Sequence, residues 1–244
     1  MSDTVIVVTG AAKGIGRAIA QRFVEDGRAV VGVDVLESPA PLAFPLLSFD
    51  LTATSWIAGL VDGIESEYGS VDALVNVAGI YERIDPADFS LDDYRRVLAV
   101  NLDAPILLAV AAGERMARRG FGRIVNVTSI HGEFAERGGL AYDVAKAGLN
   151  QATRTLALEY GDRGVLVNAV APGFIETDMS IVNGVLETTT DDFRRFYVEG
   201  GKIPLARSAQ PNEISGLVAW LCSADNSYVT GQVIRIDGGL SVTF

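Results

Sequence analysis

Short apolar runs rich in β-branched residues alternate along the whole chain with longer stretches of helical spacing. No other feature constrains the fold so tightly, because repeated strand–helix–strand units gather their strands into a parallel sheet with helices on both faces. Candidate strands lie at 5–8, 29–33, 46–49, 73–76, 123–128, 166–170 and 232–236, and most are apolar throughout, as strands covered on both sides require. Residues 15–26, 54–68, 90–119, 140–163 and 211–222 carry the helical period; in the second of these, Ile57, Leu60, Val61 and Ile64 form one stripe. The expected fold is an α/β doubly wound parallel sheet of about seven strands.

Of the 244 residues 49% are hydrophobic and 21% charged, a composition that excludes disordered, collagenous and coiled-coil chains. No Pro-, Gly- or Ser-rich linker and no long-period repeat divides the chain, so one domain over 1–244 is expected. Two stretches break the alternation. Pro39, Pro41 and Pro45 leave no room for a crossover helix between the second and third strands. The polar segment 177–201, with an amphipathic patch at Phe193, Phe196 and Tyr197, reads as a lid over a pocket.

A formal charge of -11 makes nucleic acid and anionic membranes poor partners. No unbroken apolar run approaches the ~20 residues of a membrane-spanning helix. The start, Met1-Ser2-Asp3-Thr4, lacks the basic stretch of a secretory signal, and a cytoplasmic location is expected. A single cysteine, Cys222, and a single histidine, His131, argue against a disulfide and against thiolate- or His-rich metal chemistry, so no metal site is expected.

The first strand runs into Thr9-Gly10-Ala11-Ala12-Lys13-Gly14-Ile15-Gly16 and then into a helix. A strand, a glycine turn and a helix start present free N–H groups and a positive dipole end to a pyrophosphate, although tight strand-to-helix turns also use glycine for structural reasons alone. Asp34 closes the second strand, where a carboxylate can accept both hydroxyls of an adenosine ribose and repel a 2'-phosphate; it can equally be an ordinary turn residue. Lys13 pulls the other way, towards that phosphate, so NAD is favoured and NADP is the less favoured choice.

Tyr142 and Lys146 stand four residues apart in a helix and therefore share a face. An ammonium beside a phenol favours the phenolate, which makes Tyr142 a usable acid/base near neutrality. Ser129, at the end of the fifth strand, can bring its hydroxyl to the same pocket and hold a substrate oxygen. Alone, a Tyr-x-x-x-Lys spacing is commonly a surface lysine beside a half-buried tyrosine.

Taken in order, these motifs resemble the short-chain dehydrogenase/reductase family over nearly the whole chain. Thr9-Gly10-x-x-x-Gly14-x-Gly16 is similar to its cofactor loop, Asp50-Leu51 to its adenine contact, and Asn76-Val77-Ala78-Gly79 to the motif after its fourth strand. Asn101 resembles its helix asparagine, Ser129, Tyr142 and Lys146 its catalytic trio, and Pro172-Gly173 with Ile175 and Thr177 its nicotinamide-binding turn. The resemblance implies a Rossmann-type domain of strand order 3-2-1-4-5-6-7 that binds a nicotinamide cofactor across the carboxyl ends of the strands. It implies that Tyr142 is the acid/base and that Lys146 lowers its pKa and holds the nicotinamide ribose. Ser129 orients the substrate oxygen, and Asn101 holds a proton-relaying water. Gly10, Lys13, Gly14, Ile15, Gly16, Asp34, Asp50, Leu51, Asn76, Ala78, Gly79, Pro172, Ile175 and Thr177 fall among the cofactor contacts, and a homotetramer forms through 104–119, 142–161 and C-terminal segments. Val77 departs from the pattern, standing where the family has a second asparagine.

The expected activity is NAD-dependent interconversion of a small-molecule secondary alcohol and a ketone. The Pro-rich connection, the Asn76–Gly79 stretch and Pro172-Gly173-x-x-Glu176-Thr177-Asp178-Met179 are similar to features of 2,3-dihydro-2,3-dihydroxybenzoate dehydrogenases, which points to a cyclic diol. The rivals are an NADPH-dependent 3-oxoacyl thioester reductase and, more remotely, a non-catalytic dinucleotide-binding sensor. His131 is either a substrate contact or a bystander. Glu133, Glu136 and Arg137 either select substrate or are solvated loop charge, and Cys222 reads as a core thiol.

Overall fold

The computed structural model describes residues 4–182 and 184–242. Seven parallel strands form one sheet in the order β3-β2-β1-β4-β5-β6-β9. They are β1 (Thr4–Thr9), β2 (Val30–Asp34), β3 (Leu46–Ser48), β4 (Ser70–Asn76), β5 (Gly122–Val127), β6 (Val165–Pro172) and β9 (Val233–Ile236). The order is the one the family resemblance implies. The helices are α1 (Gly14–Glu25), α2 (Ile57–Tyr68), α3 (Leu91–Leu98), α4 (Ala104–Arg119), α5 (Leu140–Tyr160), the short α6 (Asp191–Phe193) and α7 (Asn212–Leu221). A two-residue hairpin, β7 (Ile181–Val182) and β8 (Val185–Leu186), lies between β6 and α6.

Alternation along each strand divides the core between the two faces. Val5, Val7, Val31, Val33, Leu74 and Ile124 pack under α2, α4 and α5 through Ile57, Val61, Leu108, Met116 and Ala157. Ile6, Val8, Val30, Val75 and Val125 face α1 and α7 through Ile19, Phe23, Ile214 and Val218. Because both faces are buried, these strands had to be apolar at nearly every position. No helix forms between β2 and β3, as the three prolines require.

One element departs from expectation. The sequence reads as a single helix over 90–119, whereas the chain passes from α3 into a π-helical segment, Ala99–Asp103, before α4. Ser90 caps α3 by accepting the Asp93 N–H at 3.2 Å, and Gly120, with φ of 73°, ends α4. The stretch Leu91–Arg119 is long and apolar enough, by length and composition, to cross a membrane. Its apolar residues Ala104, Leu108, Ala109, Ala112 and Met116 are buried against the sheet, and this packing accounts for its character.

Candidate active site

The carboxyl ends of the central strands border a cleft lined by residues 10, 13–16, 34–36, 49–51, 77–80, 100 and 177–179. Its floor is the glycine turn. Gly10 and Gly14 have φ of 67° and 56°, values that side chains resist. A Cβ on Gly10 would stand 2.9 Å from the Ala78 backbone nitrogen. Thr9 fastens the turn to the chain after β4, its Oγ1 accepting the N–H groups of Val77 and Ala78 at 3.0 and 3.1 Å. The start of α1 therefore opens onto a backbone-lined cradle, which suits the pyrophosphate of a dinucleotide.

Asp34 stands at one end of this cleft. Its Oδ2 accepts the Ala12 N–H at 3.0 Å and its Oδ1 the Leu36 N–H at 2.9 Å, which leaves further lone pairs for ribose hydroxyls. Lys13 does not turn towards it. Its Nζ lies 2.9 Å from Oδ2 of Asp178 on the opposite wall. Asp50, Leu51, Ala78, Gly79 and Thr177 all line the cleft. Asn76 does not: its side chain is buried, donating to Asn126 Oδ1 at 2.9 Å and to the Pro105 carbonyl at 3.2 Å. Asn126 in turn donates to Thr153 at 2.9 Å, so these residues tie β4 to β5 and α5. Pro172 ends β6, and Ile175 is buried in the core.

Next to Gly79 the structure gathers the four residues expected to do chemistry. The wide turn of the π segment carries the fully buried Asn101, whose Nδ2 donates to the carbonyls of Ile80 at 2.8 Å and Val97 at 3.0 Å. A Cβ on Gly79 would lie 2.7 Å from Asn101 Oδ1 and 3.6 Å from Lys146 Nζ, so glycine is needed where these side chains meet. Lys146 is 3% exposed, donates to the Val127 carbonyl at 3.1 Å and lies 5.4 Å from the centre of the Tyr142 ring. Ser129 stands close enough to Tyr142 to favour its anion, and its Oγ accepts the His131 N–H at 3.1 Å.

The electrostatics correct one expectation. Burial pushes the Tyr142 phenol up to about 12; Ser129 opposes this and the Asp143 carboxylate adds to it. Burial also draws Lys146 down to about 8. Loss of water around the two side chains dominates both shifts, and the expected lowering of Tyr142 by the lysine is not among their causes.

Around Tyr142 lie groups that had been left open or had no assigned part. His131 and Tyr81 meet its ring edge-on, with centroids 5.8 and 5.3 Å away. Asp178, Glu187 and Tyr197 fall in the segment 177–201 expected to form the lid, and the tertiary structure gives each its own neighbours. Arg137 is exposed in its loop, and Cys222 is buried in the core.

Comparison with known proteins adds four similarities. A family model described as Enoyl-(Acyl carrier protein) reductase matches residues 10–241. The chain is 35% identical over 247 residues to the 3-oxoacyl-(acyl-carrier-protein) reductase FabG of Vibrio cholerae, covering 98% of each chain. It is 32% identical to glucose 1-dehydrogenase 2 of Bacillus subtilis, covering 97% of this chain and 94% of that one. Among solved structures, the ligand-free aldohexose dehydrogenase of Thermoplasma acidophilum superposes with a TM-score of 0.89 at 31% identity, over 99% of this chain and 95% of that one.

Proposed function

The chain belongs to the short-chain dehydrogenase/reductase family, oxidoreductases that act on CH–OH groups, and from that membership we propose an NAD-dependent enzyme interconverting a secondary alcohol and a ketone. One observation carries the reading: Ser129, Tyr142, Lys146 and Asn101 meet beside Gly79 at the edge of the cleft floored by the glycine turn.

A nicotinamide cofactor, when bound, supplies or accepts the hydride. The protein handles the proton. Burial keeps Tyr142 protonated across neutral pH, the form that can give a proton to a ketone oxygen. Ser129 donates a hydrogen bond to that oxygen and holds it within reach. In the reverse direction the phenolate must form, and Lys146 and Ser129 are the groups beside it that favour the anion. Asn101 supports a proton path from Lys146 to solvent. The backbone cradle at Gly10–Gly16 and the walls at Asp50, Leu51, Ala78, Gly79 and Thr177 hold the cofactor.

NAD is favoured because the Lys13 charge is engaged by Asp178 while Asp34 points two oriented oxygens at the loop. The likeness to the Vibrio cholerae reductase supports a second reading, NADPH-dependent reduction of a 3-oxoacyl thioester. The segment 177–201 acts as the substrate lid. Leu107 and Val110 on α4 and Val144 and Leu158 on α5, all exposed, supply apolar faces for a homotetramer. The test is a panel of cyclic diols, aldoses, sugar alcohols and 3-oxoacyl thioesters followed by NADH and NADPH absorbance. Turnover of secondary alcohols with NAD is expected, and turnover confined to thioesters with NADPH overturns the reading.

A further inference from the structure

Proton transfer leaves unused a set of polar groups packed around Tyr142. The loop after Ser129 folds back onto the start of α5, where Asp143 Oδ1 lies 2.9 Å from His131 Nδ1 and Asp143 Oδ2 accepts the Glu136 N–H at 3.0 Å. This holds Glu136 by its backbone. Its Oε2 accepts the Tyr81 hydroxyl at 3.2 Å and lies 3.6 Å from His131 Nε2. His131 and Tyr81 are the two rings that flank Tyr142, so the Glu136 carboxylate stands one side chain away from the reacting centre.

The lid segment carries its own aromatic cluster, in which Tyr197 is anchored against Phe174 and Phe193 with ring centroids 4.6 and 5.0 Å away. Both Tyr197 and Glu187 are raised in pKa, first by burial and then by neighbouring carboxylates, Glu136 among them. Among the described residues neither Glu136 nor Glu187 is ion-paired with an arginine or a lysine. Arg83 lies against Gly138 and acts on Tyr81, while Arg137 is exposed.

Building on the dehydrogenase reading of this site, we propose that Glu136, with His131, is a specificity determinant that admits a neutral, hydroxyl-rich substrate such as an aldose or cyclic diol. It rejects substrates that carry a carboxylate or phosphate beside the reacting carbinol. A hydroxyl can donate to a free lone pair of the Glu136 carboxylate or to the Tyr81 oxygen, whose own proton already goes to Glu136, so the acceptors presented here match a group that brings a proton. An anion at the same place meets a like charge and brings no proton. A cation is less well matched, because the Tyr81 hydroxyl and His131 already occupy Glu136. The carboxylated ring suggested by the sequence features is therefore disfavoured, and so is an acidic carrier.

The test titrates paired probes calorimetrically into the enzyme loaded with NADH: cyclohexane-1,2-diol with its carboxylated and amino counterparts, and an aldohexose with its aldonate. The neutral member of each pair is expected to bind about tenfold more tightly than the carboxylated one. In the variant Glu136→Gln the gap shrinks to about threefold or less, with NADH affinity unchanged as the report that the fold is intact. Equal binding of the carboxylated member, a gap that survives in Glu136→Gln, preference for the amino member, or no binding by either pair each overturns the proposal. Binding of neutral probes without NADH-linked turnover in parallel assays sinks the dehydrogenase reading and leaves the charge selection standing. Turnover that favours carboxylated substrates does the reverse.

Discussion

Asp34 is bonded to the glycine turn it faces: its Oδ2 accepts the Ala12 N–H at 3.0 Å, twenty-two residues back along the chain. The carboxylate at the end of β2 is thus positioned by the same loop that cradles the phosphates.

Replacing Asp34 with Ser shortens the acceptor and removes the charge that a 2'-phosphate would meet. The ratio of kcat/KM for NADPH to that for NADH is expected to rise about tenfold or more, and the loosened loop costs about 1 kcal/mol of stability. Steady-state kinetics with both cofactors, alongside thermal unfolding, checks both effects.

Tyr142→Phe keeps the ring contacts with His131 and Tyr81 and deletes only the hydroxyl. Turnover is expected to fall about 100- to 10,000-fold, with NADH affinity, read by fluorescence titration, held near the wild-type value. Retained turnover excludes this phenol as the acid/base.

Lys146 makes a prediction about stability. Its folded pKa of about 8 lies below the ordinary 10.5, so between those values the unfolded chain holds a proton that the folded one lacks, and this group's contribution grows more favourable as pH rises. At neutral pH its charged form carries a burial cost of about 3 kcal/mol. Lys146→Met is therefore expected to be more stable than wild type at pH 7 while losing activity, with the advantage shrinking between pH 8 and 10. Denaturant unfolding of both proteins across that range measures it.

Gly79→Ala places a methyl 2.7 Å from Asn101 Oδ1. Asn101 is held by the Ile80 and Val97 carbonyls and cannot withdraw freely. The expected result is a fall in kcat of about tenfold or more and a stability loss of about 1–3 kcal/mol, whereas Gly59→Ala, which meets nothing within 4 Å, leaves kcat unchanged.

The sheet was legible because its strands are buried on both faces and so apolar at successive positions, as Val5 to Val8 illustrate. Its order came from family resemblance, since periodicity does not rank strands. The Tyr142–Lys146 pair was legible because one helical turn fixes which residues share a face. Pairings across the fold left no local trace. Lys13 meets Asp178 from 165 positions away and Tyr81 meets Glu136 from 55. The inward turn of Asn76 depends on Asn126 and Thr153, which a strand pattern does not distinguish from any other polar end. The rise in the phenol pKa was missed because spacing reports neighbours and not the loss of water.

The π segment at Ala99–Asp103 holds one residue more per turn than the α-helices on either side. Wound instead as regular α-helix, the same residues would swing α3 and α4 by roughly 100° relative to each other. Either Val97 would leave its buried seat or Leu108 and Met116 would turn out of theirs. The irregularity therefore acts as a phase corrector between two packed faces, absorbing one residue that a regular helix would have to lose.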